Sequence, residues 1–196
     1  SDPLVMQALA NLVPYGSRVL DLGCGNGAFL SLLQSQRGCT GYGVEIDDAN
    51  VLACVQRGVS VIQLNLEQGL SMFDDQSFDV VLQIDTLQHL RNAQTMLQET
   101  VRVGRFGIVT FPNFAHWPNR LSVLQGYMPV TRKLPYQWYD TPNIHFFTYD
   151  DFEALCKERS INILHREFMA QGVADKALKS VFPNLFTEIA VYHLSR

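Results

Sequence analysis

"VLDLGCGNGAFL", residues 19–30, decides how the rest of the chain is read. A short apolar run stops at a turn holding Gly23, Gly25 and Gly27, and helical periodicity resumes on the far side in "AFLSLLQSQ". Glycine suits a backbone that must turn tightly and lie against a ligand with no side chain between them. The helix that follows presents free N–H groups and the positive end of its dipole at the same place. A turn that holds no ligand needs fewer glycines than this one has.

Working outward, "PLVMQALANLV" carries apolar residues at helical spacing before Pro14 and Gly16 close it. Downstream come a strand in "GYGVEID", a helix in "DANVLACVQRG" ended by Gly58, and a third strand in "VSVIQLNL". "SFDVVLQID" predicts a fourth strand, "QTMLQETVRVG" a helix, and "FGIVTFP" a fifth strand stopped by Pro112. Such alternation implies parallel crossovers with helices on both faces of one sheet. After "DDFEALCKERS", an amphipathic helix, "INILHREFMA" and "LFTEIAVYHLS" supply a sixth and a seventh strand, the last returning antiparallel beside the sixth. The expected fold is α/β and Rossmann-like, with a seven-stranded, mostly parallel sheet.

The 196 residues, 47% hydrophobic with a formal net charge of −4, suit roughly one core. We therefore expect a single domain over 1–196, with a cap or lid at 113–148 after the fifth strand and an insertion at 170–184 between the last two. The insertion's Val173, Ala177, Leu178 and Val181 suggest one amphipathic helix that covers the sheet edge or meets a partner. Ser1 and Asp2, without an initiating Met, suggest a trimmed start. Neither a run of ~20 apolar residues nor a basic segment leading into an apolar one points to a membrane or to export. Cys24, Cys39, Cys54 and Cys156 form no C-x-x-C pair and read as thiols of a reducing cytoplasm. Arg120, Arg132 and Lys133 are the nearest approach to a basic patch, so nucleic acid is not indicated, and no metal site is expected.

In sheets of this kind ligands bind outside the carboxyl ends of the strands, near the topological switch point. Glu45 stands at such an end, 22 positions after Gly23, where an acid can accept both hydroxyls of a ribose. Gly23, Gly25 and Ala28 also fit the dinucleotide form G-x-G-x-x-G/A. On these residues NAD and an adenosine-bearing methyl donor both stay open.

Asp21, two positions before the first glycine, makes "DLGCGNG" resemble motif I of the class I S-adenosylmethionine-dependent methyltransferases. The resemblance implies that Asp21 helps hold the methionine end of the cofactor and that Gly23, Cys24, Gly25 and Gly27 wrap it. It further implies that Glu45 holds the ribose, that Ile46, Asn65 and Leu66 frame the adenine, and that Gln83 lies near the methionine portion. S-adenosylhomocysteine would be the product. Asn65 departs from the aspartate most common at its position, though an amide can also pair with an adenine edge.

From about residue 12 onward the match narrows. "SFDVVLQIDTLQHL", "FPNFAHW" and "WYDTPNIHFFT" resemble the MetW family of methionine biosynthesis proteins, built on the methyltransferase fold. That resemblance implies an association with homoserine O-acetyltransferase, and a protein that either binds the cofactor to regulate its partner or transfers a methyl group to a small acceptor. His89, in "DTLQHL", is not associated with the family at that position.

Methyl transfer from a sulfonium chiefly asks the protein to position the acceptor, with a general base needed only when the acceptor keeps its proton. His89, His116 and His145 are the candidate bases. "LPYQWYDTPNIHFFT", 134–148, mixes aromatics with Asn143 and His145. That mixture suits a pocket wall, a small core of its own, or a docking surface anchored by Trp138 and Tyr139.

Overall fold

The structure, a computed structural model, describes residues 3–170 and 172–196. Ser1 and Asp2, where the trimmed start was suggested, and Gln171 of the 170–184 insertion lie outside the described residues. The chain runs α1 (Pro3–Leu12), β1 (Arg18–Leu22), α2 (Ala28–Arg37), β2 (Thr40–Glu45), α3 (Asp48–Gln56), β3 (Val61–Gln63), β4 (Phe78–Ile84), α4 (Ala93–Val103) and β5 (Gly104–Pro112). It continues through α5 (Trp117–Leu124), α6 (Tyr149–Glu158), β6 (Asn162–Met169), α7 (Val173–Leu178), α8 (Pro183–Phe186) and β7 (Ile189–Ser195).

The described residues form one seven-stranded sheet in the order β3-β2-β1-β4-β5-β7-β6. β1 to β5 pair in parallel, whereas β7 lies antiparallel between β5 and β6. Strand order reverses where β1 meets β4, so the carboxyl ends of β1, β2 and β4 open onto one crevice.

Both faces of the central strands are covered, which is why β1 and β4 read as continuous apolar runs. Val19, Val80 and Leu82 pack with Leu9, Val13, Phe29 and Leu33 under α1 and α2. Leu20, Leu22 and Val81 pack with Met96 and Val103 on the opposite face. A third cluster joins Phe111 and Tyr192 of β5 and β7 to Phe152 and Cys156 of α6. Each of these fully buried side chains contributes on the order of 1.5–3 kcal/mol. α6 starts at a reciprocal cap, Thr148 accepting from the Asp151 N–H while Asp151 accepts from Thr148.

Three elements differ from the sequence reading. β3 stops at Gln63 instead of running to Leu66, because the Asn65 side chain accepts from the Glu67 N–H and opens a 3₁₀ turn, Leu66–Gln68. Residues 117–124 are helical: Pro118 sits in the first turn, where a missing N–H costs nothing. The 170–184 stretch holds the short α7 and the first residues of α8 instead of a single helix.

Residues 134–148 divide into two parts. Ile144 and His145 both donate their N–H to the Gln88 carbonyl, at 2.9 and 3.1 Å, and Phe147 stacks on Phe111 with ring centroids 4.6 Å apart. Trp138 and Tyr139 instead stand outward, 72% and 71% exposed, edge to face with each other. Among the described residues no helix is long and apolar enough to cross a membrane.

Candidate functional site: a two-chambered cleft over the glycine turn

β1 delivers Asp21 and Leu22 to the crevice and hands the chain to the glycine turn. Gly23, Gly25 and Gly27 all have positive φ, at 75°, 53° and 74°. At Gly23 a Cβ would come within 2.8 Å of Thr86 Oγ1, itself tied to the Leu22 carbonyl, so only glycine lets β1 and β4 close this near their ends. At Gly27, the N-cap of α2, a Cβ would meet Cys54 Sγ at 2.9 Å. Glycine is required there by packing against α3.

Two cavities meet over this turn. The larger, about 370 Å³, is lined by Gly23, Glu45, Ile46, Asn65, Leu66, Ile84, Asp85 and His89, among others. The smaller, about 290 Å³, is lined by Asp21, Gly23, Cys24, Gly25, Asn26 and Ile84, with Met6 of α1 and Phe29 of α2 closing it. Gly23 and Ile84 belong to both walls and mark the junction.

Each chamber holds a carboxylate in a different state. Asp21 faces the α1–α2 side of the sheet by the pleat's alternation and is 3% exposed. Among the described residues no side chain or N–H reaches its carboxyl group, and burial, followed by the charge of Glu45, pushes it up to about 7. Glu45 is clamped instead: Oε2 accepts from Gly25 N–H at 2.9 Å, and Oε1 from the N–H groups of Ile46 at 2.7 Å and Asp47 at 3.0 Å. The end of β2 and the glycine turn are thereby held as one unit.

Asp85 closes the larger chamber. Its backbone is left-handed, with φ at 53°, and its N–H points at the Thr110 carbonyl and hydroxyl at 3.2 and 3.1 Å. The residue is exposed at the cleft, yet the protein atoms gathered around its carboxyl group raise it through desolvation. His89, on the same wall, is lowered by burial against the opposing pull of an Asn143 hydrogen bond and the Asp85 charge. Near neutral pH its imidazole is uncharged.

The structure brings most of the sequence-selected residues together. Asp21, Gly23, Cys24 and Gly25 line the smaller chamber, and Gly23, Glu45, Ile46, Asn65 and Leu66 the larger. Gln83 stands apart: its side chain alternates to the opposite face and donates to the Met96 carbonyl and Thr100 Oγ1 of α4. Gly27 also lies off the lining, for the packing reason above. Of the three histidines, only His89 reaches this cleft. His116 is buried with Nε2 3.2 Å from Asp175 Oδ2, and His145 lines a separate cavity of about 330 Å³ with Nε2 3.4 Å from the Arg91 carbonyl.

Sequence reasoning passed over Met6, Asn26, Phe29, Ile84, Asp85 and Thr86. The strand-end rule that found Glu45 points equally to Asp85, which directly follows the apolar run of β4. Among the described residues no cluster of three or more His, Cys, Asp or Glu side chains is placed to hold a metal ion.

The family model described as "Methionine biosynthesis protein MetW" matches residues 5–194. A bifunctional methionine biosynthesis protein MetXA/MetW from Rhodopirellula baltica is 34% identical over 200 residues, covering 97% of this chain and 32% of that protein. A tRNA (carboxymethyluridine(34)-5-O)-methyltransferase from Arabidopsis thaliana is 29% identical over 140 residues, 67% of this chain and 32% of that protein. The chain thus spans about a third of the length of these curated relatives. Among solved structures, a SAM dependent methyltransferase from Archaeoglobus fulgidus superposes with a TM-score of 0.72 at 17% identity, over 100% of this chain and 95% of that one. A SAM-dependent methyltransferase from Thiobacillus denitrificans, in complex with S-adenosyl-L-homocysteine, gives 0.65 at 14% identity, over 100% and 92%. Those likenesses establish the Rossmann-like methyltransferase fold.

Proposed function

The chain belongs to the MetW family, and from that premise we propose that it binds S-adenosylmethionine within methionine biosynthesis and acts with homoserine O-acetyltransferase. One observation carries the reading: two neighbouring chambers that share Gly23 and Ile84, one ending in a buried carboxylate without a partner among the described residues, the other in a carboxylate preset by backbone N–H groups. An amino acid's ammonium would satisfy Asp21 and restore its charge. Glu45, with lone pairs left over from its three backbone donors, would accept the ribose hydroxyls. Ile46, Asn65 and Leu66 would flank the base.

The same carboxylates argue against a dinucleotide. Its pyrophosphate belongs over the glycine turn, beside the buried Asp21, which offers no positive charge to hold it. S-adenosylmethionine, when bound, supplies an electrophilic methyl group and the driving force for its transfer. The chain's own share is to bind, orient and exclude water.

Partnership with the acetyltransferase is supported by the MetXA/MetW relative, in which both names belong to one polypeptide. It is supported also by the exposed Trp138–Tyr139 pair. Residues 113–148 would form a cap whose inner part packs on the Gln88 turn beside the cleft, lining neither chamber, and whose outer part meets the partner. The cytoplasm suits the pathway and the free thiols. Methyl transfer to a small acceptor is the second reading. His89 favours it, an uncharged imidazole on the cleft wall able to take a proton.

Calorimetry with S-adenosylmethionine, S-adenosylhomocysteine and NAD tests the cofactor. The first two should bind and the third should not. Binding of NAD with no response to the sulfur nucleosides would overturn the reading.

A further inference from the structure

We propose that Asp85 is a specificity residue that makes the cleft favour a cationic sulfonium over a neutral thioether, and so S-adenosylmethionine over S-adenosylhomocysteine. The inference rests on the cofactor reading above and sharpens it. The sulfur of this nucleoside joins its amino-acid arm to its ribose. With Asp21 in one chamber and Glu45 in the other, the sulfur belongs at the junction, which Gly23 and Ile84 define. Asp85 is the next residue after Ile84 and lines the larger chamber on that side.

The fold holds Asp85 there in a left-handed backbone that aspartate tolerates better than most residues. A left-handed backbone is uncommon outside glycine, and its persistence at a cleft marks a side chain whose placement is maintained by its surroundings. Those surroundings are the two Thr110 oxygens that take its N–H, with the Thr110 hydroxyl 3.4 Å from Asp85 Oδ1. Among the described residues no cation lies within ion-pair distance of the carboxylate. Lys133 acts on it only through its field, and His89 adds no charge when its imidazole is neutral. An exposed anion on a cavity wall, without a counter-ion among the described residues, is suited to a ligand that brings its own positive charge. The thioether product brings none at this position.

Asparagine is isosteric with aspartate and tolerates the left-handed region, so Asp85→Asn removes the charge and keeps the backbone. Equilibrium binding of S-adenosylmethionine, S-adenosylhomocysteine and sinefungin, whose protonated amine replaces the methylsulfonium, is measured on both proteins. The variant should lose about tenfold in affinity for both cationic ligands, about 1.4 kcal/mol, while S-adenosylhomocysteine shifts by less than about twofold. Lys133→Met, which removes the competing cation, should move the sulfonium-to-thioether ratio the other way by about threefold. This second variant decides the matter if Asp85→Asn does not fold. A ratio that stays within about twofold of wild type in the folded variants overturns the role of Asp85 alone. Wild-type protein that binds none of the three ligands overturns the cofactor reading, and Asp85 with it.

Discussion

Replacing Asp21 by asparagine should stabilise the ligand-free protein at alkaline pH while removing much of its hold on the cofactor. Asp21 is 3% exposed, and its carboxyl group lacks a hydrogen-bond partner among the described residues and is raised from 3.8 to about 7. A folded-state value above the unfolded one means that the native protein binds the proton more tightly. The associated stability is therefore complete below about pH 3.8 and is lost progressively as pH rises to about 7. A shift of about three units corresponds to roughly 4 kcal/mol above that window, as an upper bound, and to about 1 kcal/mol at pH 4.5. Asparagine does not titrate, so the pH-dependent part of the difference between the two proteins isolates this group. Urea or thermal unfolding at pH 4.5 and 8.5 should show the variant's advantage growing by about 2–3 kcal/mol between them, or roughly 5–10 °C in midpoint. Calorimetry on the same variant should show a loss of about 1.5–3 kcal/mol in nucleoside binding, since a charge-assisted hydrogen bond is removed. An advantage equal at both pH values would refute the argument that Asp21 is a destabilising buried charge kept for a ligand.

Glu45→Ala should weaken nucleoside binding by about 1.5–3 kcal/mol by calorimetry, and lower stability as well, because the N–H groups of Gly25, Ile46 and Asp47 lose their acceptor. Unchanged affinity in a folded variant removes Glu45 from the site. Changing Trp138 and Tyr139 together to Ala should cost less than about 1 kcal/mol in stability, as both face outward, and leave nucleoside affinity intact. Pull-down with homoserine O-acetyltransferase should then fail, and retained association sinks the docking role. His116→Ala should cost about 1–3 kcal/mol in urea unfolding by releasing the buried Asp175, yet leave cofactor affinity unchanged. A large loss of affinity there would place His116 in the functional site.

What the sequence revealed depended on whether a local rule governed the position. Asp21, the glycine turn and Glu45 sit at strand ends and turns, where composition and spacing carry the geometry directly. Gln83 stands apart from the cleft because proximity along the strand does not decide which face a side chain takes. Leu82 and Ile84 point one way and Gln83 the other, into α4. Gly27 was chosen for a ligand when its neighbour is Cys54, a contact between α2 and α3 that no short-range pattern encodes. Met6 joins the smaller chamber only because α1 folds back across the sheet. Asp85 takes a left-handed backbone angle that no short-range pattern signals, held by Thr110 on the neighbouring strand.

The placement of β7 makes one half of the sheet depend on the last strand of the chain. β1 to β5 join through parallel crossovers, β1 meeting β4 only after β2 and β3 have been made, and they carry the glycine turn, Glu45 and Asp85 with them. β6 touches the sheet only through β7, which follows both of its neighbours in the chain and pairs Leu194 with Gly107 and with Ile163. Until β7 arrives, β5 presents an open edge bearing Ile108, Val109 and Phe111, and α6 has no finished surface to cover. The half of the molecule that forms the cleft thus rests on parallel pairings distant in sequence, and the half that carries the cap depends on the chain's last strand to cover the edge of β5.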